Sequence, residues 1–139
     1  MEKYTYEQLL EIIAELRSDH GCPWDRAQTH ESMIKCLRDE CEETIEAIEN
    51  KDDENLCEEL GDVFLQVLLH AQIAKEEGRF DMSDIIDGLA KKMVRRHPHV
   101  FGGAPQAQTE EEGLARWKEI KAQEKAQKQR SAQKRAENI

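Results

Sequence analysis

The feature that most limits how this chain can fold is the stretch from about Glu54 to Glu77, which has a helical pattern and is apolar on more than one side. A helix on the surface of a domain needs only one apolar stripe, so a helix of this kind must be covered from several directions. We therefore predict that it lies at the centre of a helical bundle and that a second copy of the chain covers part of it. Its apolar residues are Leu60, Val63, Phe64, Leu65, Val67, Leu68, Leu69, Ile73 and Ala74.

Composition supports a single helical domain. The chain has 139 residues, of which 38% are hydrophobic and 36% are charged, and a chain of this size builds one compact core. Valine and threonine, which favour strands, occur only four times each. We predict an all-α fold, a four-helix-bundle-like arrangement around an antiparallel helical hairpin, with residues 1–125 as the domain and residues 126–139 as a polar, basic helical tail that frays.

The net charge of -10 is unevenly distributed. Residues 117–139 contain seven Lys or Arg against three Glu, which leaves 13 basic against 27 acidic side chains in the first 116 residues. An acidic body repels a phosphate backbone, so we do not expect nucleic-acid binding. No apolar run reaches the roughly 18 residues of a membrane-spanning helix, and the first residues do not resemble a signal peptide. We expect a cytoplasmic protein without membrane contact, whose four cysteines are reduced thiols.

Helix boundaries can be predicted along most of the chain. Thr5 and Gln8 have the capping-box pattern at the start of a first helix. The segment from Gly21 to Thr29 is predicted to be a loop in which Trp24 anchors the chain to the core or lines a pocket. The other predicted helices are His30–Glu49, Glu54–Glu77, Met82–Arg96 and one that begins at Thr109.

The hairpin around the polar break Asn50–Asp53 carries carboxylates at matching positions. Glu43 with Asp62, and Glu46 with Glu59, are equidistant from about position 52.5, so the members of each pair are expected to lie level. A spacing of three places the two carboxylates of each helix on one face. We predict that these four side chains form one cluster.

A cluster of this kind needs a counter-charge, because carboxylates within a few ångströms repel one another. Oxygen ligands favour Mg²⁺, Mn²⁺ or Ca²⁺. Gln66 and His70 extend a polar stripe from Asp62 along a mostly apolar helix, where an ionised group needs a partner. The alternative is that the acidic residues are simply the solvated faces of two acidic helices. A di-iron centre is disfavoured, since no histidine has a glutamate three residues before it.

The pattern Glu42-Glu43-x-x-Glu46 followed by Glu59-x-x-Asp62 resembles the metal signature of the MazG family, which consists of all-α nucleoside triphosphate pyrophosphohydrolases. The resemblance covers about residues 6–125, and parts of it are typical of the amino-terminal copy in members that contain two copies. The further segments similar to MazG sequences are Gly21–Asp25, Glu59–Asp62, Glu76–Phe80 and Arg95–Phe101.

This resemblance implies Mg²⁺-dependent hydrolysis of a nucleoside triphosphate to the monophosphate and pyrophosphate, with Mn²⁺ as a substitute metal. It implies that Glu43, Glu46, Glu59 and Asp62 are metal ligands. Glu42 is expected to be an additional ligand or a neighbour of the ligands. These five residues are the predicted catalytic residues.

Four residues toward the end of the chain are similar to substrate-side positions of the family. Lys92 and Arg96 are spaced by one helical turn, as are Trp117 and Lys121. The resemblance implies that they bind the nucleoside triphosphate. Alternatively, Lys92 and Arg96 are solvated cations favoured at a helix C-terminus, and Trp117 is a core anchor.

Two hypotheses about function follow. The first is a pyrophosphohydrolase that works as a homodimer or as a dimer of dimers. The second is a non-catalytic helical module for dimerisation or regulation that binds nucleotide or metal. Metal-dependent release of pyrophosphate separates them.

Overall fold

The computed structural model describes residues 2–137, and all the regular secondary structure within that range is helical, which confirms the predicted all-α fold. Met1 of the predicted domain, with Asn138 and Ile139 of the predicted tail, lies outside the described residues. The chain divides into two compact units, of which the first extends to Ile85 and the second begins at Ile86. The helices are α1 (Tyr6–Leu16), α2 (Pro23–Ala27), α3 (Ile34–Glu49), α4 (Asp53–Glu76), α5 (Met82–Arg96), α6 (Pro98–Phe101) and α7 (Glu110–Glu137).

α1 begins at the predicted capping box. The Thr5 hydroxyl accepts a hydrogen bond from the Gln8 amide at 3.2 Å, and the Gln8 side chain accepts one from the Thr5 amide at 2.9 Å. Gly21 allows the chain to turn back after this helix, because a Cβ at that position would lie 2.2 Å from the Glu15 carbonyl oxygen. The sequence signals at both ends of α1 therefore have direct structural causes.

α3 and α4 form the predicted antiparallel hairpin, which a very short connection joins. The amides of Lys51 and Asp52 donate to the carbonyls of Ile48 and Ala47, both at 3.1 Å, and Lys51 adopts a left-handed φ of 53°. This is a Schellman turn. The Asp52 carboxylate then accepts a hydrogen bond from the Asn55 amide at 3.2 Å and so caps α4 at once. The length of the connection is thus set by hydrogen bonds on both sides.

α4 is central to the first unit, as predicted, and packs against both α3 and α1. Its Leu68 and Leu69 form the buried core with Ile13 and Met33, each at most 3% exposed. The first turns of α4 are less buried than the rest of the helix. Leu60 is 52% exposed, and other apolar residues of the hairpin are exposed as well.

The segment between α1 and α3 differs from its prediction. The predicted loop contains α2, a short helix that begins at Pro23, a residue suited to the first turn because it lacks an amide hydrogen. Trp24 is 61% exposed, so the prediction that it anchors the chain to the core is wrong. α3 begins at Ile34 rather than at His30, because residues up to Met33 form turns instead of a regular helix.

The second unit contains the rest of α5, the short α6 and the long α7. α5 has the predicted bounds, and the residue before Pro98 ends it. α7 begins after Thr109, whose hydroxyl accepts a hydrogen bond from the Glu112 amide at 3.1 Å. The helix continues to Glu137, and the predicted boundary at residue 125 stays a prediction. Within residues 2–137, no helix combines the length and apolar character needed to cross a membrane.

Candidate metal and nucleotide site

Carboxylates from both helices of the hairpin converge in the first unit. Glu40 and Glu43 on α3 and Glu59 on α4 each offer one oxygen atom, and these three atoms lie within 4.8 Å of one another. Asp62 belongs to the same group. Burial and Glu43 are the larger causes of the raised pKa of Glu40 and of Glu59, and the negative charge of Asp62 raises both pKa values further. We call these four residues the carboxylate cluster.

The hairpin explains why these four residues meet. The connection between α3 and α4 is centred on Lys51. Glu43 and Glu59 each lie eight positions from Lys51, and Glu40 and Asp62 each lie eleven positions from it. Residues equidistant from the centre of an antiparallel hairpin lie level, so the cluster consists of two facing pairs, one helical turn apart.

The cluster is crowded and partly withdrawn from water. Glu59 is only 9% exposed, and its Oε2 atom is buried without a hydrogen-bond partner among residues 2–137, as is Oε2 of Glu40. Burial raises the pKa of Glu59 to about 7, and the hydrogen bond and charge of Glu43 add to the effect. Burial also raises the pKa of Glu40, followed by the charges of Glu43 and Asp62. Near neutral pH the cluster therefore holds a proton where a cation would also fit.

This arrangement suits a hard divalent cation. Buried acceptor atoms without a donor are costly unless something satisfies them. Carboxylate oxygens on two rigid helices are the ligand type that Mg²⁺ and Mn²⁺ prefer. The orphaned oxygens of Glu40 and Glu59 provide the specific sign that the site is built to hold a positive charge.

Some residues of the predicted site lie in the carboxylate cluster and others do not. Glu43 and Glu59 are brought together with Glu40, and Asp62 acts on Glu40 and Glu59 through its charge, whereas Glu42 and Glu46 are exposed and take part in neither way. The predicted hairpin was centred at about position 52.5, whereas the connection is centred on Lys51. A centre displaced by one and a half positions changes the partner of each α4 residue by three residues on α3, which is close to one helical turn.

Glu40 is the residue that the spacing argument missed. The inner face of α3 is marked by the buried Thr44 and Ala47, and Glu40 lies one turn before Thr44. At about 100° per residue, Glu43 lies at the edge of this face, whereas Glu46 points about 100° away from Ala47 and about 160° away from Thr44. The inner face of α3 can be recognised in the sequence, since Met33, Glu40, Thr44 and Ala47 follow helical spacing. Because two of these residues are polar, a search for apolar residues at helical spacing does not find this face.

In the second unit, the predicted substrate-side residues form a cation-rich group around one aromatic ring. The Arg96 guanidinium lies 5.5 Å from the centre of the Trp117 ring, and the Lys121 ammonium lies 4.7 Å from it. Arg96 also pairs with Glu124 at 2.9 Å, and Arg95 pairs with the same carboxylate at 2.5 Å. These pairs, led by the hydrogen bond from Arg95, lower the pKa of Glu124 to about 2.

Lys92 and Lys121 differ from the arginines of this unit in their ion pairing. Lys92 is half-buried on α5, one turn before Arg96, while Lys121 is exposed on α7. Neither ammonium has a carboxylate within ion-pair distance in the part of the chain that the structure describes. Both lysines are therefore free to pair with an anion, whereas Arg95 and Arg96 share Glu124 and together keep one net positive charge.

Residues 28–101, which include the whole carboxylate cluster, match the family described as the MazG nucleotide pyrophosphohydrolase domain. The chain belongs to the MazG family. The family predicted from the sequence is thereby confirmed.

Two curated relatives and one crystal structure support the assignment. The chain is 52% identical over 126 residues to the nucleoside triphosphate pyrophosphohydrolase/pyrophosphatase MazG of Thermotoga maritima, which covers 91% of this chain and 48% of the relative. It is 45% identical over 123 residues to the nucleoside triphosphate pyrophosphohydrolase of Escherichia coli K12, covering 88% and 46%. The crystal structure of a MazG-related protein from Thermotoga maritima matches with a TM-score of 0.67 and 36% identity, over 84% of this chain and 98% of that one. The chain thus spans about half the length of these curated relatives.

Proposed function

We propose that this chain hydrolyses nucleoside triphosphates to nucleoside monophosphate and pyrophosphate, and that the reaction depends on Mg²⁺. The observation that carries the proposal is the carboxylate cluster, whose buried, unpartnered oxygens lie within the MazG domain of the chain. The names of the relatives agree with this activity.

We assign the metal ligands to Glu40, Glu43, Glu59 and Asp62. Glu40 takes the role that the sequence spacing predicted for Glu46, because Glu40 contributes an oxygen to the cluster and Glu46 does not. Glu42, on the exposed side of α3, is left as a solvated neighbour. The choice of Mg²⁺ rests on the all-oxygen ligand set, and Mn²⁺ is expected to substitute.

The protein's part in the reaction is to hold charges at fixed positions. A bound divalent cation neutralises phosphate oxygens and lowers the pKa of a coordinated water. Glu59 must lose its proton before it can serve as a ligand, because only the carboxylate form donates to a metal. α3 and α4 pack against each other and are joined by a short hydrogen-bonded turn, so the four carboxylates are held in place and little reorganisation is required when substrate arrives.

Lys92, Arg96 and Lys121 are assigned to the phosphates of the substrate. The two lysines keep an unpaired ammonium, which suits them to bind an anion. Trp117 is assigned the task of positioning Arg96 and Lys121, since both cations lie against its ring. The resemblance also predicts that Trp117 contacts the substrate, and we place this contact beside the two cations.

We further propose that a second copy of the chain covers the apolar surface of the hairpin. Ile45 and Ile48 on α3 are 45% and 57% exposed, and Leu60 and Phe64 on α4 are 52% and 38% exposed. Apolar side chains grouped on two neighbouring helices favour burial against another protein surface. A homodimer, alone or paired into a tetramer, satisfies this requirement.

The deciding experiment measures pyrophosphate release from a panel of ribo- and deoxyribonucleoside triphosphates, with Mg²⁺ and with chelator. Glu40→Gln and Glu46→Gln form a matched pair of variants, because they make the same chemical change three residues, about one helical turn, before and after Glu43. We expect Glu40→Gln to lose most of the activity and Glu46→Gln to keep it.

Two other results would contradict the proposal at different levels. Loss of activity in Glu46→Gln with normal activity in Glu40→Gln would refute the assigned ligand set and restore the one predicted from spacing. A folded, Mg²⁺-binding wild type that releases no pyrophosphate from any nucleotide would refute the enzymatic function and favour a non-catalytic module for dimerisation or regulation.

A further inference from the structure

A second group of titratable side chains lies in the first unit, away from the four carboxylates of the cluster. His30, in the turn before α3, lies edge to edge with His70 of α4, with ring centres 5.0 Å apart and ring planes tilted by only 8°. Their Nδ1 atoms are 2.7 Å apart, which is hydrogen-bond distance. On its other side, His30 Nε2 contacts Nη2 of Arg79, a residue of the turn that follows α4.

The arginine determines where the protons are. A guanidinium group can only donate hydrogen bonds, so Nε2 of His30 must be the acceptor in its contact with Arg79. Neutral His30 therefore carries its hydrogen on Nδ1 and donates it to Nδ1 of His70. His70 in turn must carry its hydrogen on Nε2. One donor-only residue thus fixes the tautomers of two histidines.

A further proton cannot be added without breaking one of these contacts. Protonation of His30 would place an N–H against the Arg79 guanidinium, where two donors and two positive charges would meet. Protonation of His70 would place two N–H groups between the rings. Burial, followed by the neighbouring His30, lowers the pKa of His70, which agrees with this geometry.

The charged groups around the histidines leave the clash between the two donors in place, although Glu77 offsets part of the charge of Arg79. Glu77, in the same turn as Arg79, is engaged with the Arg79 Nε atom at 2.8 Å. On the α1 side, Arg17 donates to the Gln28 carbonyl at 3.1 Å and pairs with Glu76 of α4 at 2.9 Å. Glu31, next to His30, is exposed. The available carboxylates near the pair therefore already have cationic partners or face solvent.

We propose that His30, His70 and Arg79 form a pH-sensitive latch, which holds the turn before α3 against α4 when both imidazoles are neutral and releases it on acidification. The Arg17–Glu76 pair holds the neighbouring end of the same segment by a different chemistry. The hydrogen bond from Arg17 lowers the pKa of Glu76, so that this pair persists over the range in which histidines titrate. Opening is therefore confined to the residues around His30. The proposal does not depend on the enzymatic function.

The test is nuclear magnetic resonance of the full chain with ¹⁵N-labelled histidine, from pH 8 to pH 5, with amide exchange of residues 29–33 measured in parallel. Each titration is run with and without saturating Mg²⁺, so that protonation of the carboxylate cluster is distinguished from that of the histidines. At pH 8 we expect His30 as the Nδ1–H tautomer and His70 as the Nε2–H tautomer. As the pH falls, His70 is expected to titrate below the ordinary histidine pKa, together with a rise in amide exchange at residues 29–33.

His20 is the internal control, because it is exposed and pairs with Glu15 of α1 outside the latch. Its titration should leave the exchange of residues 29–33 unchanged. In Arg79→Gln, which keeps a donor but removes the charge, the titration midpoint of His70 should move to higher pH. An Nε2–H tautomer of His30 at pH 8 would overturn the proposal. So would titration of His70 at the ordinary value with constant amide exchange at residues 29–33.

Discussion

The carboxylate cluster of the first unit and the Arg95, Arg96 and Glu124 group of the second unit use charge in opposite ways. In the cluster, like charges converge and burial raises the pKa of Glu59 to about 7. In the second unit, two arginines share one carboxylate, and the hydrogen bond from Arg95 leads a fall in the pKa of Glu124 to about 2. The two arginines supply the counter-charge of Glu124 within the fold, whereas the carboxylate cluster requires a counter-charge from outside.

The largest effect that would sharpen this contrast is expected from Glu59→Gln. Removing this ligand should abolish measurable Mg²⁺ binding, a loss beyond the roughly 10- to 100-fold typical of residues that only orient metal ligands. Because the substitution also removes a repelling charge, the melting temperature without metal should stay the same or rise. Titration calorimetry with Mg²⁺, combined with thermal melts in chelator, measures both. Unchanged Mg²⁺ affinity would contradict the metal assignment.

The next effect concerns the dependence of stability on pH. The pKa of Glu59 is higher in the folded chain, about 7, than its ordinary value of 4.5. The folded state therefore holds the proton more tightly, and the stability contributed by this group is complete below pH 4.5 and is lost as the pH rises through about 7. In chelator, the melting temperature should fall between pH 5 and pH 8.

Saturating Mg²⁺ is the control for this pH effect, because the cation replaces the proton as the counter-charge of the cluster. The fall in melting temperature between pH 5 and pH 8 should become smaller or reverse with the metal present. A metal-free protein whose stability rises steadily across this range would show that Glu59 is not the group that dominates it.

A smaller effect is expected from Lys121→Ala in the second unit. The ammonium makes no ion pair within residues 2–137, so its removal costs the fold little. If it binds phosphate, KM for the nucleoside triphosphate should rise several-fold with kcat nearly constant. Lys118→Ala, on an exposed position of the same helix, is the matched control. Steady-state kinetics and melting curves of both variants make the comparison.

The smallest effect is expected from Glu124→Gln. The carboxylate's pKa of about 2 lies below its ordinary value of 4.5, so the stability from its two ion pairs is complete above pH 4.5 and is lost only as the pH falls through about 2. The variant should melt a little lower than the wild type, by the same amount at every pH from 5 to 8. A difference that grows or shrinks across this range would mean that another titrating group controls these arginines.

Much of the fold could be predicted from the sequence because local signals mark its helix ends. The capping box at Thr5, the cap at Thr109 and Pro98 after α5 each act within a few residues, and all three agree with the structure. The exposure of Trp24 could not be predicted from local signals of this kind. Its exposure depends on how the segment after α1 packs, and nothing within that segment encodes the packing.

The candidate site was predicted less completely for a related reason. Which residue types take part follows from composition and spacing, and Glu43, Glu59 and Asp62 were found in this way. The choice between Glu40 and Glu46 depends on the centre of the hairpin to within two residues. That centre is set by the left-handed Lys51 and the cap at Asp52. A left-handed residue after a helix is usually glycine, so a lysine at this position does not predict the turn.

The short connection at Lys51 has a consequence for how sequences of this kind can change. Surface loops ordinarily accept insertions at little cost. Here an added residue would shift α3 relative to α4. Either the apolar side chains of the two helices or their carboxylates would then lose their alignment. The number of residues between the two helices is therefore under the same constraint as the ligands, although none of those residues would touch a metal or a nucleotide.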